Sequence, residues 1–206
     1  MIIKARHHWF YHPFFKIYSR WMPKKDFSRV ELHHKLEDRG LPVMMIGNHV
    51  SWWDGFFAQY INLELFDRKI HIMMLQEQLK ERMFLNKTGA YSIKKGSRSA
   101  LESIKYTGEI LSDPGNLVLL FPQGKIHSIY DFPVQFEEGW YRILKYLEGP
   151  VQMVFYVALF DFFSNRKPEL HIYLEDYLYQ GKSHSDTETA FNQFLGKCIS
   201  TQKSRV

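Results

Sequence analysis

A histidine and an aspartate five residues apart, His49 and Asp54, are the side chains of this sequence best suited to acid–base chemistry. On one regular helix, residues five apart point about 140° away from each other, because a helix has about 3.6 residues per turn. The two side chains can therefore meet only if His49 lies in a turn and Asp54 in the first turn of the following helix. The carboxylate would then accept from one ring nitrogen and leave the other free as a base for a hydroxyl or thiol.

The same residues also have a simpler structural interpretation. Ser51 and Asp54 fit the spacing of a helix capping box, in which each side chain bonds the other residue's backbone N–H. An acidic residue near a helix N-terminus is favourable in itself, because the helix dipole is positive there. Short motifs of this kind arise by accident. Capping and catalysis do not exclude each other, so the surrounding sequence has to decide between them.

Two apolar runs predict the strands that position these residues. Residues 42–47 form a short buried strand that ends just before His49. Residues 117–121 predict the central strand of the sheet, and it leads into residues 123–125. Helical patterns separate the successive strands, so the sheet should be mostly parallel, with both strand ends at the edge where open α/β sheets bind ligands. We expect a single α/β domain whose mostly parallel mixed sheet is flanked by helices.

The remaining elements follow from local periodicity and turn residues. A capping box from Ser99 to Glu102 predicts the start of one helix. Further strands are expected at residues 70–75, 91–93, 151–160 and 170–174. Helices are expected from residue 52, at residues 76–85 and 99–111, at 138–147 and at 186–203.

Composition limits the class of protein. A chain of 206 residues is the size of one compact domain. The net charge of +5 suits an anionic partner, such as an anionic bilayer or a phosphate-bearing substrate. We expect no nucleic-acid partner, because no nucleic-acid-binding signature is present. The single cysteine excludes an intrachain disulfide, and neither an apolar run of about 18 residues nor a cleavable signal is evident. We therefore expect a cytoplasmic protein, peripheral on the inner face of the membrane.

Residues 1–25 hold the densest aromatic cluster of the chain, interleaved with lysines and arginines. As a helix, this segment would present an aromatic stripe. Such a stripe could rest in a membrane interface, with the aromatic rings at headgroup level and the cations on anionic lipid. It could equally pack on the domain, and both could hold on different faces. Periodicity alone leaves these interpretations open.

Three blocks, in order along the chain, resemble the glycerolipid acyltransferases, the superfamily of 1-acylglycerol-3-phosphate and lysophospholipid acyltransferases. Residues 48–54, Asn-His-Val-Ser-Trp-Trp-Asp, match that family's Asn-His-x-Ser-x-x-Asp signature. Residues 89–95 (Gly-Ala-Tyr-Ser-Ile-Lys-Lys) resemble its second block, and residues 121–124 (Phe-Pro-Gln-Gly) its third. The resemblance covers roughly residues 40–160. It implies a glycerol-3-phosphate acyltransferase-like fold, with the acyltransferase domain at residues 26–206.

The resemblance also implies a reaction. A fatty acyl group would move from acyl-CoA or acyl-carrier protein to a hydroxyl of a lyso-lipid or similar amphiphilic acceptor, in phospholipid biosynthesis. His49 would be the base and Asp54 its orienting partner. Because the acceptor hydroxyl can attack the thioester directly, Ser51 is better interpreted as a cap than as a nucleophile. Four residues of the second and third blocks would bind the acceptor or a phosphate: Lys95, Gln123, Gly124 and Lys125.

Neither a cofactor nor a metal is expected. The ten histidines show no compact ligand spacing along the chain, so the sequence predicts no metal site. Two other functions remain open as alternatives. One is a thioesterase-like hydrolase that uses the same His–Asp pair on water. The other is a catalytically idle lipid-binding protein.

The third block departs from the family pattern Phe-Pro-Glu-Gly-Thr-Arg-Ser. Gln123 stands where the family has Glu, and it brings hydrogen bonds but no charge. The expected Arg is missing, and Lys125 supplies a point charge in place of a planar fork. The strand of the fourth block, residues 151–157, lacks its usual proline. The base and its partner are kept while acceptor recognition differs. This argues against lysophosphatidic acid and leaves another lyso-lipid or amphiphilic alcohol as the acceptor.

Overall fold

The computed structural model describes residues 1–179, 181 and 183–205. Its strands are β1 Arg29–His33, β2 Val43–Gly47, β3 Lys69–Leu75, β4 Ala90–Ile93, β5 Asn116–Leu120, β6 Gln152–Asp161 and β7 Glu169–Tyr177. Its α-helices are α1 Tyr11–Asp26, α2 Asp54–Leu65, α3 Gln76–Glu81, α4 Met83–Asn86, α5 Arg98–Ile110 and α6 His184–Lys203. A 3₁₀ helix covers Glu138–Tyr146.

The strands form one sheet in the order β1-β7-β6-β2-β5-β3-β4. Every neighbouring pair is parallel except β6 and β7, which pair antiparallel. The predicted single α/β domain with a mostly parallel mixed sheet is therefore confirmed. β2 lies between β5 and β6, parallel to both, so the ends of β2 and β5 reach the same edge of the sheet.

Alternation along the strands divides the core into two layers. In β2, Met44 and Ile46 belong to the layer on one face of the sheet, and Val43 and Met45 to the layer on the other. This is the period of two that a strand imposes on its side chains. Helices cover both faces, so all five residues of β2 are buried. That double coverage explains why this strand is a continuous apolar run in the sequence.

Two sequence predictions of helix boundaries are wrong, and one strand was missed. Helix α5 begins at Arg98 after Ser97, so Ser99 lies inside it and forms no capping box with Glu102. The helix expected at 76–85 is two short helices, because the backbone leaves the helical region at Arg82. The helix expected at 138–147 is confirmed over Glu138–Tyr146, where it is a 3₁₀ helix. Strand β1 was missed, since it is polar and its partner β7 is remote in the chain.

The N-terminal segment packs on the domain through one face only. Residues before α1 hydrogen-bond to the chain around β4, through Ile3 to Ser92 and through Arg6 to Asn86. On α1, the rings of Phe15 and Tyr18 contact Phe56 of α2. The opposite side of the segment exposes large apolar side chains: Trp9 (81% exposed), Phe10, Phe14, Ile17 (71%) and Trp21 (53%). Among the described helices, none has the length and hydropathy needed to cross a bilayer.

Candidate active site

His49 and Asp54 are in contact at the end of β2. The strand ends at Gly47, the chain turns through His49, and α2 begins at Asp54. The imidazole Nδ1 lies 2.9 Å from Asp54 Oδ2. This is the turn-and-first-helical-turn arrangement that the five-residue spacing requires.

The capping box expected from Ser51 to Asp54 does not form. Ser51 Oγ accepts the N–H of Trp53 at 3.1 Å, and Asp54 is itself the first helical residue. Its carboxylate reaches back over the turn instead, and Oδ2 accepts the backbone N–H groups of Val50 (2.7 Å) and Ser51 (2.9 Å). The aspartate therefore fixes the turn that carries His49 as well as the imidazole itself.

The hydrogen bonds to Oδ2 define the imidazole tautomer. Because Oδ2 accepts from two backbone N–H groups, it is an acceptor toward His49 as well, and Nδ1 carries the proton. In the neutral imidazole Nε2 then carries no proton, and it makes no hydrogen bond to any residue in the described ranges. Burial raises the pKa of Asp54 above its usual value, and the bonds from His49, Ser51 and Val50 oppose this. Since Asp54 is fully buried, a positive charge formed on His49 would be screened little by water from the carboxylate.

The third block holds His49 from the other side. The backbone N–H of His49 donates to Gln123 Oε1 at 2.6 Å, and its carbonyl accepts the N–H of His127 at 2.9 Å. The imidazole stacks on Phe121 with the ring centroids 4.2 Å apart. Gln123, expected to bind the acceptor, is only 4% exposed, and its Oε1 supports the His49 backbone. An amide or a carboxylate oxygen can accept this bond, so the departure from Glu keeps it.

Asn48 continues the sheet beyond the end of β2. Its side chain is buried and pairs with the backbone of Ala158 on β6, donating through Nδ2 (3.1 Å) and accepting through Oδ1 (2.9 Å). These two bonds replace a strand pairing at the point where the chain turns to present His49. Sequence reasoning gave Asn48 no role beyond its place in the signature.

The second and third blocks meet through an ion pair. Lys95 Nζ lies 2.6 Å from Glu137 Oε1 and donates to the Gly124 carbonyl at 3.1 Å. Gly124 has φ +72°, and a side chain there would collide with Glu137 and Lys95. Its N–H donates to the Phe121 carbonyl, so it is not free for an oxyanion. Lys95 is therefore a partly neutralised cation, and Glu137 is a neighbour that sequence reasoning missed.

Two cations in this region are without such partners. Lys125 and Arg142 are exposed, and neither forms an ion pair or side-chain hydrogen bond with residues 1–179, 181 or 183–205. Arg142 comes from the 3₁₀ helix and was not predicted.

A cavity of about 720 Å³ connects these groups. This volume lies within the range of about 300–1,000 Å³ typical of small-molecule sites. His49, Lys95, Lys125 and Arg142 line it together with Gly124. The rest of the wall is mainly apolar and comes from α1, α2, β3 and their neighbours, including Phe15, Phe56, Ile70, Ile72, Met74 and Leu75.

Comparisons with known proteins identify the family and the fold of the chain. A family model described as Acyltransferase matches residues 28–157. No curated protein sequence matches the chain. Among solved structures, the 1-acyl-sn-glycerophosphate (LPA) acyltransferase, PlsC, from Thermotoga maritima aligns over 94% of this chain and 80% of its own. Its TM-score is 0.64 and its sequence identity 12%, a likeness of fold.

Proposed function

The chain belongs to the acyltransferase family, and we propose that it transfers a fatty acyl group from acyl-CoA or acyl-carrier protein to a hydroxyl of a lyso-lipid or similar amphiphilic acceptor. One observation carries this proposal. The His49–Asp54 pair lies at the wall of a largely apolar cavity, with Nε2 of the imidazole unpaired among the described residues. A base beside an apolar cavity suits an alcohol and an acyl chain bound side by side.

In the proposed mechanism, Nε2 of His49 takes the proton of the acceptor hydroxyl. The hydroxyl oxygen attacks the thioester carbonyl carbon, and the carbonyl oxygen takes the negative charge of the tetrahedral intermediate. Collapse breaks the carbon–sulfur bond, and the leaving thiolate takes the proton back from the imidazolium. Asp54 holds the ring through Nδ1 and stabilises its charge between the two transfers.

The cavity supports an assignment of substrate parts. Its apolar wall suits a fatty acyl chain, because burying each CH₂ group contributes about 0.8 kcal/mol. Lys125 and Arg142 are the available cations on the wall, and we assign them to a phosphate of the donor or acceptor. Arg142 restores a guanidinium fork to a site whose third block has none.

Membrane contact is part of the proposal and rests on α1. The exposed face of residues 9–21 carries Trp9, Ile17 and Trp21, and an amphiphilic acceptor is most concentrated at a bilayer. Sedimentation with anionic vesicles tests this. Ile17→Ala should weaken binding, whereas Leu101→Ala, an exposed leucine on α5 across the sheet, should not. Equal binding by both variants would contradict the assignment of this face.

The activity test incubates the protein with acyl-CoA and a panel of lyso-lipids and follows both thioester and lipid product. We expect acylated product with wild type and its loss in His49→Ala, while the exposed neighbour of β1, His34→Ala, remains active. Thioester consumption without acylated lipid would show the hydrolase instead. Vesicle binding with no thioester consumption from acyl-CoA or acyl-carrier protein would show the idle lipid-binding protein.

A further inference from the structure

Three metal-binding side chains meet at the β1 edge of the sheet, separated from β2 by β6 and β7. Glu31 and His33 are two residues apart on β1, so their side chains share a face, and His171 is the register partner of Glu31 on β7. His33 Nε2 lies 3.1 Å from His171 Nδ1 and 3.4 Å from Glu31 Oε2. His171 Nδ1 lies 3.5 Å from the same Glu31 oxygen.

The distances between these three ligand atoms, 3.1, 3.4 and 3.5 Å, fit tetrahedral coordination better than octahedral coordination. Zinc binds nitrogen and oxygen ligands at about 2.0–2.1 Å, and tetrahedral angles then place the ligands about 3.3–3.4 Å apart. An octahedral sphere with the same bond length would bring adjacent ligands to about 2.9 Å. We propose that Glu31, His33 and His171 bind one zinc-type divalent cation tetrahedrally, with water as the fourth ligand.

Neighbouring groups already orient two of the ligands. His171 Nε2 lies 3.2 Å from Glu169 Oε2, so the carboxylate accepts a hydrogen bond from Nε2–H and leaves the Nδ1 lone pair facing Glu31 and His33. A carboxylate behind a ligating histidine is the usual outer shell of a zinc site. The ring of His33 stacks on Tyr173 with the centroids 4.6 Å apart. His171 is fully buried, which limits its movement.

The cation would compete with Arg205. The guanidinium Nη1 lies 3.2 Å from Glu31 Oε2, and Nη2 lies 3.2 Å from His33 Nε2. Arg205 follows the end of α6 at Lys203, so its flexible side chain can swing away when a metal enters. β1 pairs with only one strand at this edge of the described sheet, and a bound metal would join it to β7. Metal binding would therefore stabilise the fold.

Titration of the full, chelator-treated chain with Zn²⁺ in the presence of a competing chelator tests the site, with Co²⁺ absorption as a report of four-coordinate geometry. We expect one Zn²⁺ per chain and a rise in Tm. Both effects should be lost in His33→Gln and kept in the adjacent, exposed His34→Ala. Glu169→Gln should weaken binding about 10–100-fold. Arg205→Ala should strengthen it, on the order of tenfold, by removing the competing cation.

Failure has clear signatures. The proposed site is refuted if neither wild type nor Arg205→Ala binds Zn²⁺. It is also refuted if wild type and His33→Gln bind Zn²⁺ equally. An unchanged Zn²⁺ affinity in Arg205→Ala would refute the proposed competition between Arg205 and the cation. Acyl transfer by the metal-free chain shows that each variant is folded, and it reports on the proposed function independently of the metal.

Discussion

Replacing Asp54 with asparagine tests how much the buried carboxylate contributes to His49 as a base. The amide oxygen of Asp54→Asn can still accept from Nδ1 of His49 and from the N–H groups of Val50 and Ser51, so the turn is kept. The negative charge is lost. In the proposed mechanism, the imidazolium formed when His49 takes the acceptor proton then has no counter-charge beside it.

The structure sets the size of the effect. With Nδ1 and Oδ2 2.9 Å apart, the two charge centres lie about 4 Å apart, and such a pair at an effective dielectric constant of about 20 is worth about 4 kcal/mol. Each 1.36 kcal/mol of barrier is tenfold in rate, so kcat should fall about 10³-fold. Stability should fall by about 1–3 kcal/mol, because the amide NH₂ replaces Oδ1, a buried atom with no hydrogen-bond partner among the described residues.

The assay compares kcat for acyl transfer and the free energy of unfolding in urea for wild type and Asp54→Asn. Asp131→Asn is the matched control, because Asp131 pairs with His127 at 3.3 Å in the same region but is exposed. We expect this control to keep both activity and stability close to wild type. A kcat within tenfold of wild type in folded Asp54→Asn would refute the assignment of His49 as a base steered by this carboxylate.

Three further predictions follow from the site and the core. Gln123→Glu keeps an acceptor for the His49 N–H and should leave kcat within about threefold of wild type. Gln123→Leu leaves that N–H unpaired. It should lower the free energy of unfolding in urea by about 1–3 kcal/mol and remove most of the activity. If Gln123→Leu were as active and stable as wild type, the bond would have no supporting role. Arg142→Gln should raise KM for a phosphate-bearing substrate about tenfold with little change in kcat. The control Lys145→Gln, on the same 3₁₀ helix, should leave KM unchanged. Equal KM values for the two variants would refute the assignment of Arg142 to a phosphate. Burial lowers the pKa of His71 to about 4, so between pH 6.5 and 4 the unfolded chain binds a proton that the native chain does not. Native stability should therefore fall as the pH falls, by about 2 kcal/mol from pH 7 to 5, and His71→Gln should show that much less pH dependence in urea unfolding; identical pH profiles would contradict this.

The sequence was informative wherever the interacting residues are close along the chain. His49 and Asp54 are five apart, so the strand before them and the helix after them suffice to bring the imidazole and carboxylate together. The apolar run of β2 likewise predicted a buried strand, since a parallel strand covered on both faces needs apolar side chains throughout. The α/β class was predictable because helical patterns separate the successive apolar runs, which favours parallel strands.

Only the tertiary structure decided which distant residues meet. Gln123 supports the backbone of a histidine 74 residues away, and Lys95 pairs with Glu137 42 residues away. His33 and His171 are 138 residues apart and become neighbours only because β1 pairs with β7. The local sequence around each residue does not predict such partners. The order of the seven strands brings them together, and that order depends on how all the strands pack into the two apolar layers. Composition and spacing therefore determined the turn that joins His49 to Asp54, while long-range packing decided the charge pattern of the cavity and the histidine cluster at the sheet edge.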